Sequence, residues 1–113
     1  YELAQRQARG CGSIVSVEFR GGRERIAQFP GELRLWTLAE SLGGVKSLWC
    51  HPGTMTHAAV EPAERERIGI GDGLVRLSVG LEEVDDLIDD LDRALDQTAP
   101  RVRRTRTAKA VPA

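Results

Sequence analysis

The chain has 113 residues, 41% of them apolar and 29% charged, with a formal net charge of −1. That length gives one domain with a single core of modest size, and the composition is that of a soluble globular protein rather than a disordered or fibrous one. A balanced charge excludes a general electrostatic pull toward nucleic acid or a membrane surface, and the apolar runs are too short to span a bilayer.

The average charge hides an asymmetry. Residues 82–96 carry eight acids against one base, Arg93, whereas residues 101–109 carry four arginines, one lysine and no acid. The acidic block has helical periodicity and the basic block has none. The expectation is a folded unit over 1–97 and a basic, disordered tail over 98–113. Two cysteines, Cys11 and Cys50, give no disulfide framework, and no apolar leader opens the chain. A cytoplasmic location with both thiols reduced is the simplest expectation. The start at Tyr1, with no Met, reads as a piece of something longer.

Residues 1–9 are good helix formers, and Gly10 suits a helix C-cap. Only Leu3, Ala4 and Ala8 are apolar, so this helix needs a neighbour. Residues 12–20 alternate, with Val15, Val17 and Phe19 on one face and Ser16 and Glu18 on the other, which predicts a half-buried strand. Residues 23–29 predict a short amphipathic helix with Ile26, Ala27 and Phe29 inward, stopped by Pro30-Gly31. Residues 33–38 and 46–51 predict two short strands separated by Glu40-Ser41-Leu42-Gly43-Gly44. His51-Pro52-Gly53-Thr54 breaks the second, and Met55-Thr56-His57 follows in a loop. Pro62 opens a helix that ends at Gly69. Gly71-Asp72-Gly73 is a turn before a strand over 74–79.

Residues 83–96 carry the strongest local signal. Val84, Leu87, Ile88, Leu91, Ala94 and Leu95 follow a helical stripe, and the remaining positions are almost all acids. The whole order predicts an α+β domain with an antiparallel or mixed sheet of about four strands.

Few side chains point to chemistry. In strand 74–79, Val75, Leu77 and Val79 face one way and Arg76 and Ser78 the other. On a solvent face Arg76 is an ordinary surface charge; on a cleft its guanidinium fork suits a carboxylate. In the 40–44 stretch the glycines either supply a positive φ angle or let backbone N–H groups approach a ligand, while Glu40 and Ser41 offer an acceptor and a donor. Cys50, His51 and His57 match no zinc spacing, so no metal site is expected. Gly69-Ile70-Gly71-Asp72-Gly73 lies between a helix and a strand, the reverse of a dinucleotide loop. The basic tail has no aromatic residue to stack on bases. A nucleic-acid partner and a membrane partner are therefore not expected.

The sequences at 39–48 (Ala-Glu-Ser-Leu-Gly-Gly-Val-Lys-Ser-Leu), 51–58 (His-Pro-Gly-Thr-Met-Thr-His-Ala), 69–82 (Gly-Ile-Gly-Asp-Gly-Leu-Val-Arg-Leu-Ser-Val-Gly-Leu-Glu) and 85–91 (Asp-Asp-Leu-Ile-Asp-Asp-Leu) resemble, in order and spacing, the C-terminal part of a known family. It is the pyridoxal-phosphate-dependent Cys/Met metabolism, or transsulfuration, enzymes, including cystathionine gamma-synthase, gamma-lyase and beta-lyase. The resemblance covers residues 1 to about 97. It implies a small C-terminal domain, a mostly antiparallel sheet of about four strands with helices packed on one side, that sits on a large cofactor domain, and it implies an amino-acid substrate. A domain separated from that partner would expose apolar surface, so a homo-oligomer or an obligate partner chain is expected.

The resemblance also implies roles. Arg76 would grip the substrate α-carboxylate, with Ser41 and the backbone N–H of Leu42 beside it. Glu40 would stand at the mouth of the site and Thr56 would support it. Glu40 and the Met55-Thr56-His57 loop fit the gamma branch, either synthase or lyase. Lys46 departs from the glutamate usual in the family, and Gly53-Thr54 departs from Ala-Ser. The cofactor's lysine, the acid at its ring nitrogen and its stacking partner belong to the large domain in this family. The lysines here, Lys46 and Lys109, match neither position nor context. The expectation is that pyridoxal phosphate serves an intact enzyme, that no catalytic residue lies in this chain and that the chain alone is inactive. The alternative is a stand-alone, non-enzymatic module that binds an amino acid or pairs with another chain.

Overall fold

The computed structural model describes residues 1–99. The chain order is α1 (Glu2–Gln7), β1 (Ile14–Glu18), α2 (Gly22–Glu32), β2 (Thr37–Leu38), β3 (Leu48–Cys50), α3 (Pro62–Arg67), β4 (Leu74–Ser78) and α4 (Val84–Gln97). This is the expected α+β order. The four strands form one sheet in the order β1-β4-β3-β2, with β4 pairing antiparallel to both β1 and β3 and β2 parallel to β3.

Alternation on β4 decides what each face does. Val75 and Leu77 point into a core with Trp49, Trp36, Ile26 of α2 and Leu87 of α4. Phe29 is fully buried and meets Trp49 edge-on at 5.9 Å and Phe19 at 4.7 Å between ring centroids. Arg76 and Ser78 point to the opposite face, where Ser16 and Cys50 stand beside Arg76 in register. That second face carries the candidate site.

Several elements differ from the sequence reading, each for a local reason. Helix α2 runs through Pro30 to Glu32 rather than stopping before it. Pro30 sits in the last turn, where its carbonyl still accepts the N–H of Leu33, so only one intrahelical bond is lost. Ala27, expected inward, is exposed. Helix α1 ends at Gln7 with an extended Ala8, short of Gly10, and has no buried residue. Strand β2 has two residues instead of six. The N–H groups of Arg34 and Leu35 go to the carboxylate of Asp90 on α4, at 2.8–3.1 Å, rather than to a neighbouring strand. Along α4, Leu87 and Ala94 are buried, but Val84 and Ile88 remain 61% and 49% exposed. Thr98, placed in the tail by the sequence reading, is buried and donates its hydroxyl to the carbonyl of Ala94. Ala99 donates its N–H to the carbonyl of Asp96, and residues 100–113 of that expected tail lie outside the described residues. Among the described residues no helix is long and apolar enough to cross a membrane.

Asp90 is the buried charge that ties α4 to the approach of β2. Burial opposes its ionisation. The N–H groups of Leu35 and Arg34, the Arg93 guanidinium and the N–H of Trp36 outweigh that opposition and hold its carboxyl below the ordinary value. A depressed carboxyl contributes stability above its unfolded value and loses it as pH falls through the folded value. Asp90→Asn should therefore cost about 2 kcal/mol at pH 7, since two part-buried N–H donors and the Arg93 guanidinium lose a charged acceptor. In thermal unfolding followed by circular dichroism, the gap between the two proteins should narrow below about pH 4. A gap that stays constant with pH would contradict this role.

Candidate substrate-carboxylate site

The site is built by β4 and the loop that follows β2. Arg76 lies in mid-strand. Its Nη2 donates to the carbonyls of Glu40 at 2.6 Å and Ser41 at 3.2 Å. Its Nε–H is buried and has no partner among the described residues. A guanidinium is therefore held in place by two carbonyls that do not neutralise its charge, with one directional donor unspent. The N–H groups of Ser41 and Leu42 form no hydrogen bond among the described residues; each shares a trans peptide with a carbonyl that faces Arg76 and so points away from the guanidinium. The Glu40, Ser41 and Leu42 side chains are exposed. A guanidinium fixed with its charge unneutralised is suited to a planar carboxylate.

The loop keeps this position because it is bonded to the end of β4. Gly43 donates its N–H to the Oγ of buried Ser78 at 2.8 Å. Its φ of +72° is readily reached by glycine and strained for other residues. That answers one of the two readings of the glycines: Gly43 supplies a turn, and its N–H is not free for a ligand. Ser47 is fully buried. Its N–H and hydroxyl both donate to the Glu82 carboxylate, at 2.9 and 2.7 Å, and its Oγ accepts the N–H of Gly80 at 2.9 Å. Leu81 donates its N–H to the carbonyl of Val45. The two donations from Ser47, the N–H of Glu82 itself and the nearby Lys46 hold the Glu82 carboxyl below its ordinary value. The two segments touch so closely at Gly80 that a Cβ there would sit 2.4 Å from the Val45 carbonyl oxygen.

A second network holds the loop after β3. The imidazole of buried His51 has Thr54 Oγ1 at 2.8 Å from Nδ1 and the Asp72 carbonyl at 3.2 Å from Nε2. A carbonyl only accepts, so Nε2 carries the proton. Buried Arg65 reaches the Gly53 carbonyl and pairs with Asp72. Farther along, Thr56 Oγ1 lies 2.8 Å from His57 Nδ1. Thus Arg76, Glu40, Ser41 and Leu42 come together, whereas Thr56 forms no hydrogen bond to any of them among the described residues. An apolar cavity of about 270 Å³ between α2 and the 51–55 loop does not include Arg76. Among the described residues no group of three or more metal-capable side chains converges.

Ser47, Glu82 and Asp90 escaped the sequence reading. Each is a polar residue that no apolar pattern marks, and only the fold buries Ser47 and Asp90 and brings Glu82 to Ser47. Ser78 had a signal, its place two residues after Arg76 on the same strand face.

Residues 1–96 match the model of the family described as Cys/Met metabolism PLP-dependent enzyme. The chain belongs to that family. It is 50% identical over 100 residues to cystathionine gamma-lyase of Bos taurus, an alignment covering 88% of this chain and 25% of that protein. It is 48% identical over 92 residues to cystathionine gamma-synthase of Escherichia coli K12, covering 81% of this chain and 24% of the relative. Among solved structures, cystathionine gamma synthase from Xanthomonas oryzae pv. oryzae, in complex with aminoacrylate and cysteine, superposes with a TM-score of 0.79 at 48% identity. That match covers 86% of this chain and 25% of the other. The chain thus spans about a quarter of the length of these relatives. The family depends on pyridoxal phosphate. The one lysine among residues 1–99, Lys46, is exposed and lies near Glu82. An open, singly placed amine does not fit that cofactor, so the described residues build no site for it.

The tight approach at Gly80 makes a sharp contrast available. Gly80→Ala should cost about 2 kcal/mol, as overpacking against rigid backbone does. Gly44→Ala has nothing within 4 Å of its new Cβ and should stay within about 0.5 kcal/mol of wild type. Urea unfolding of the two variants checks the pair, and equal costs would contradict the described contact.

Proposed function

We propose that residues 1–97 are the C-terminal, substrate-binding part of a pyridoxal-phosphate-dependent transsulfuration enzyme of the cystathionine gamma-synthase or gamma-lyase type. The intact enzyme forms or cleaves a C–S bond of an amino acid. This part orients the substrate by its α-carboxylate. The observation that carries the reading is the Arg76 guanidinium, held by the Glu40 and Ser41 carbonyls with its charge unneutralised and its Nε–H unpartnered among the described residues. Arg76 takes the carboxylate in a charge-assisted pair, the Leu42 N–H and the Ser41 hydroxyl complete the grip, Glu40 stands at the mouth, and Thr56 supports the far side.

Orientation is the whole contribution of these residues. Fixing the carboxylate sets where the α-carbon and the distal sulfur chain lie, which is the entropic part of catalysis. The cofactor lysine is supplied by a large domain outside this chain, so the chain alone is inactive. A requirement for such a partner is supported by α1, whose six residues are all exposed, and by exposed Leu3, Val45, Leu81 and Val84. The assembled enzyme is a cytoplasmic homo-oligomer.

A chimera provides the test. Residues 1–99 replace the matching quarter of the Escherichia coli cystathionine gamma-synthase. The chimera should turn over, and the isolated 113-residue chain should not. Within the chimera, Arg76→Ala should raise KM for the amino-acid substrate about 10- to 100-fold, in keeping with about 1.5–3 kcal/mol for a hydrogen bond to a charged group. An unchanged KM would refute the role of Arg76.

A further inference from the structure

We propose that Glu82 is a positioning residue for the carboxylate site: acting through Ser47, it sets where the 40–44 loop lies over Arg76. The inference rests on the substrate reading above, and its own core concerns loop position. Glu82 touches no substrate atom in this account.

Four observations converge on it. Ser47 is fully buried, and a buried N–H and hydroxyl demand partners. Glu82 supplies both, one carboxylate oxygen to each. The Ser47 hydroxyl then accepts the N–H of Gly80, so one side chain joins the loop end to the strand exit in both directions. Finally, the loop is tethered at three further points, Gly43 to Ser78, Leu81 to Val45, and the Glu40 and Ser41 carbonyls to Arg76. Arg76 and Ser78 lie on one rigid strand. The distal end of the loop is held at Ser47, whose N–H and hydroxyl bond Glu82 and whose carbonyl accepts the N–H of Thr37, so loss of the Glu82 contact loosens the loop where the strand does not hold it.

Two donors of one residue point at two oxygens of another, and both bonds are charge-assisted. In Glu82→Gln the amide oxygen can still accept the Ser47 N–H, while the NH2 group can face the Ser47 hydroxyl only as a donor, which reverses that bond and turns the hydroxyl's own proton elsewhere. Shape is kept while the charge that strengthens both bonds is lost. Ser47→Ala removes the hydroxyl link from the other side and leaves the charge of Glu82 in place. The pair of variants thus approaches one contact from both ends.

The test uses the full 113-residue chain, labelled with nitrogen-15. In the absence of ligand, amide exchange and chemical shifts are followed at Leu42, Gly43 and Leu81. L-serine is then added as the probe, and its affinity is read from the Leu42 amide. Glu82→Gln and Ser47→Ala should each raise Gly43 and Leu81 exchange at least ten-fold and shift Leu42, while exchange in the α2–α4 core stays as in wild type. Both variants should weaken L-serine at least five-fold, and the double variant should be no worse than the poorer single. Unchanged loop exchange in Glu82→Gln and Ser47→Ala would overturn the proposal, as would a released loop that binds L-serine like wild type. If Glu82→Gln fails to fold, Ser47→Ala decides alone by the same criteria. A wild-type chain with no Leu42 response to L-serine overturns the substrate reading instead, while the exchange data still decide whether Glu82 positions the loop.

Discussion

The candidate site depends on a constraint in β4: one strand carries both the charge that would bind and the anchors that hold the binding loop. Arg76 and Ser78 stand on the same face, and two residues later Gly80 brings the backbone against Val45 and Lys46. The loop over Arg76 is therefore fixed by hydrogen bonds to the strand that bears Arg76, and not by packing of its own side chains, most of which are exposed. Pre-organisation of this kind lowers the cost of binding because the donors are already in position. It also explains an unusual balance, in which a site rich in exposed residues rests on buried serines.

The opposite face of the same strand explains the stability of the site. Val75 and Leu77 enter the core with Trp49, Ile26 and Leu87, so movement of β4 would disturb both faces at once. Asp90 does the same for the other end of the loop. It captures the N–H groups of Arg34 and Leu35, shortens β2 and fixes the entry to Thr37–Leu38. Entry and exit of the 39–47 segment are thereby set by carboxylates, Asp90 on α4 and Glu82 just before it. The acids of this region look like a solvated stripe in the sequence, yet two of them have internal duties.

The element order and the two faces of β4 were legible because they follow from alternation and helical period, which act locally. The grouping of Arg76 with Glu40, Ser41 and Leu42 was legible only through the family resemblance, since 35 residues separate Arg76 from Ser41 and no spacing rule links them. What stayed hidden shares one cause. Ser47 and Asp90 are polar residues whose burial comes from tertiary placement, Glu82 is a partly exposed acid engaged only through the fold, and a pattern of apolar positions has no means of marking them. The same cause shortened β2, because its backbone donors were diverted to a side chain. Pro30 misled in the other direction, since its stopping power is weak in a helix's last turn.

The central claim is that the Arg76 guanidinium, held by two carbonyls with its charge unneutralised, is the group that takes a carboxylate. Its direct test is the proton–nitrogen resonance of the Arg76 Nε group in the labelled chain, titrated with sodium acetate against sodium chloride at equal ionic strength. The account predicts a saturable downfield shift of the Nε proton with acetate and no more than a small linear drift with chloride. Identical responses to the two salts would contradict it.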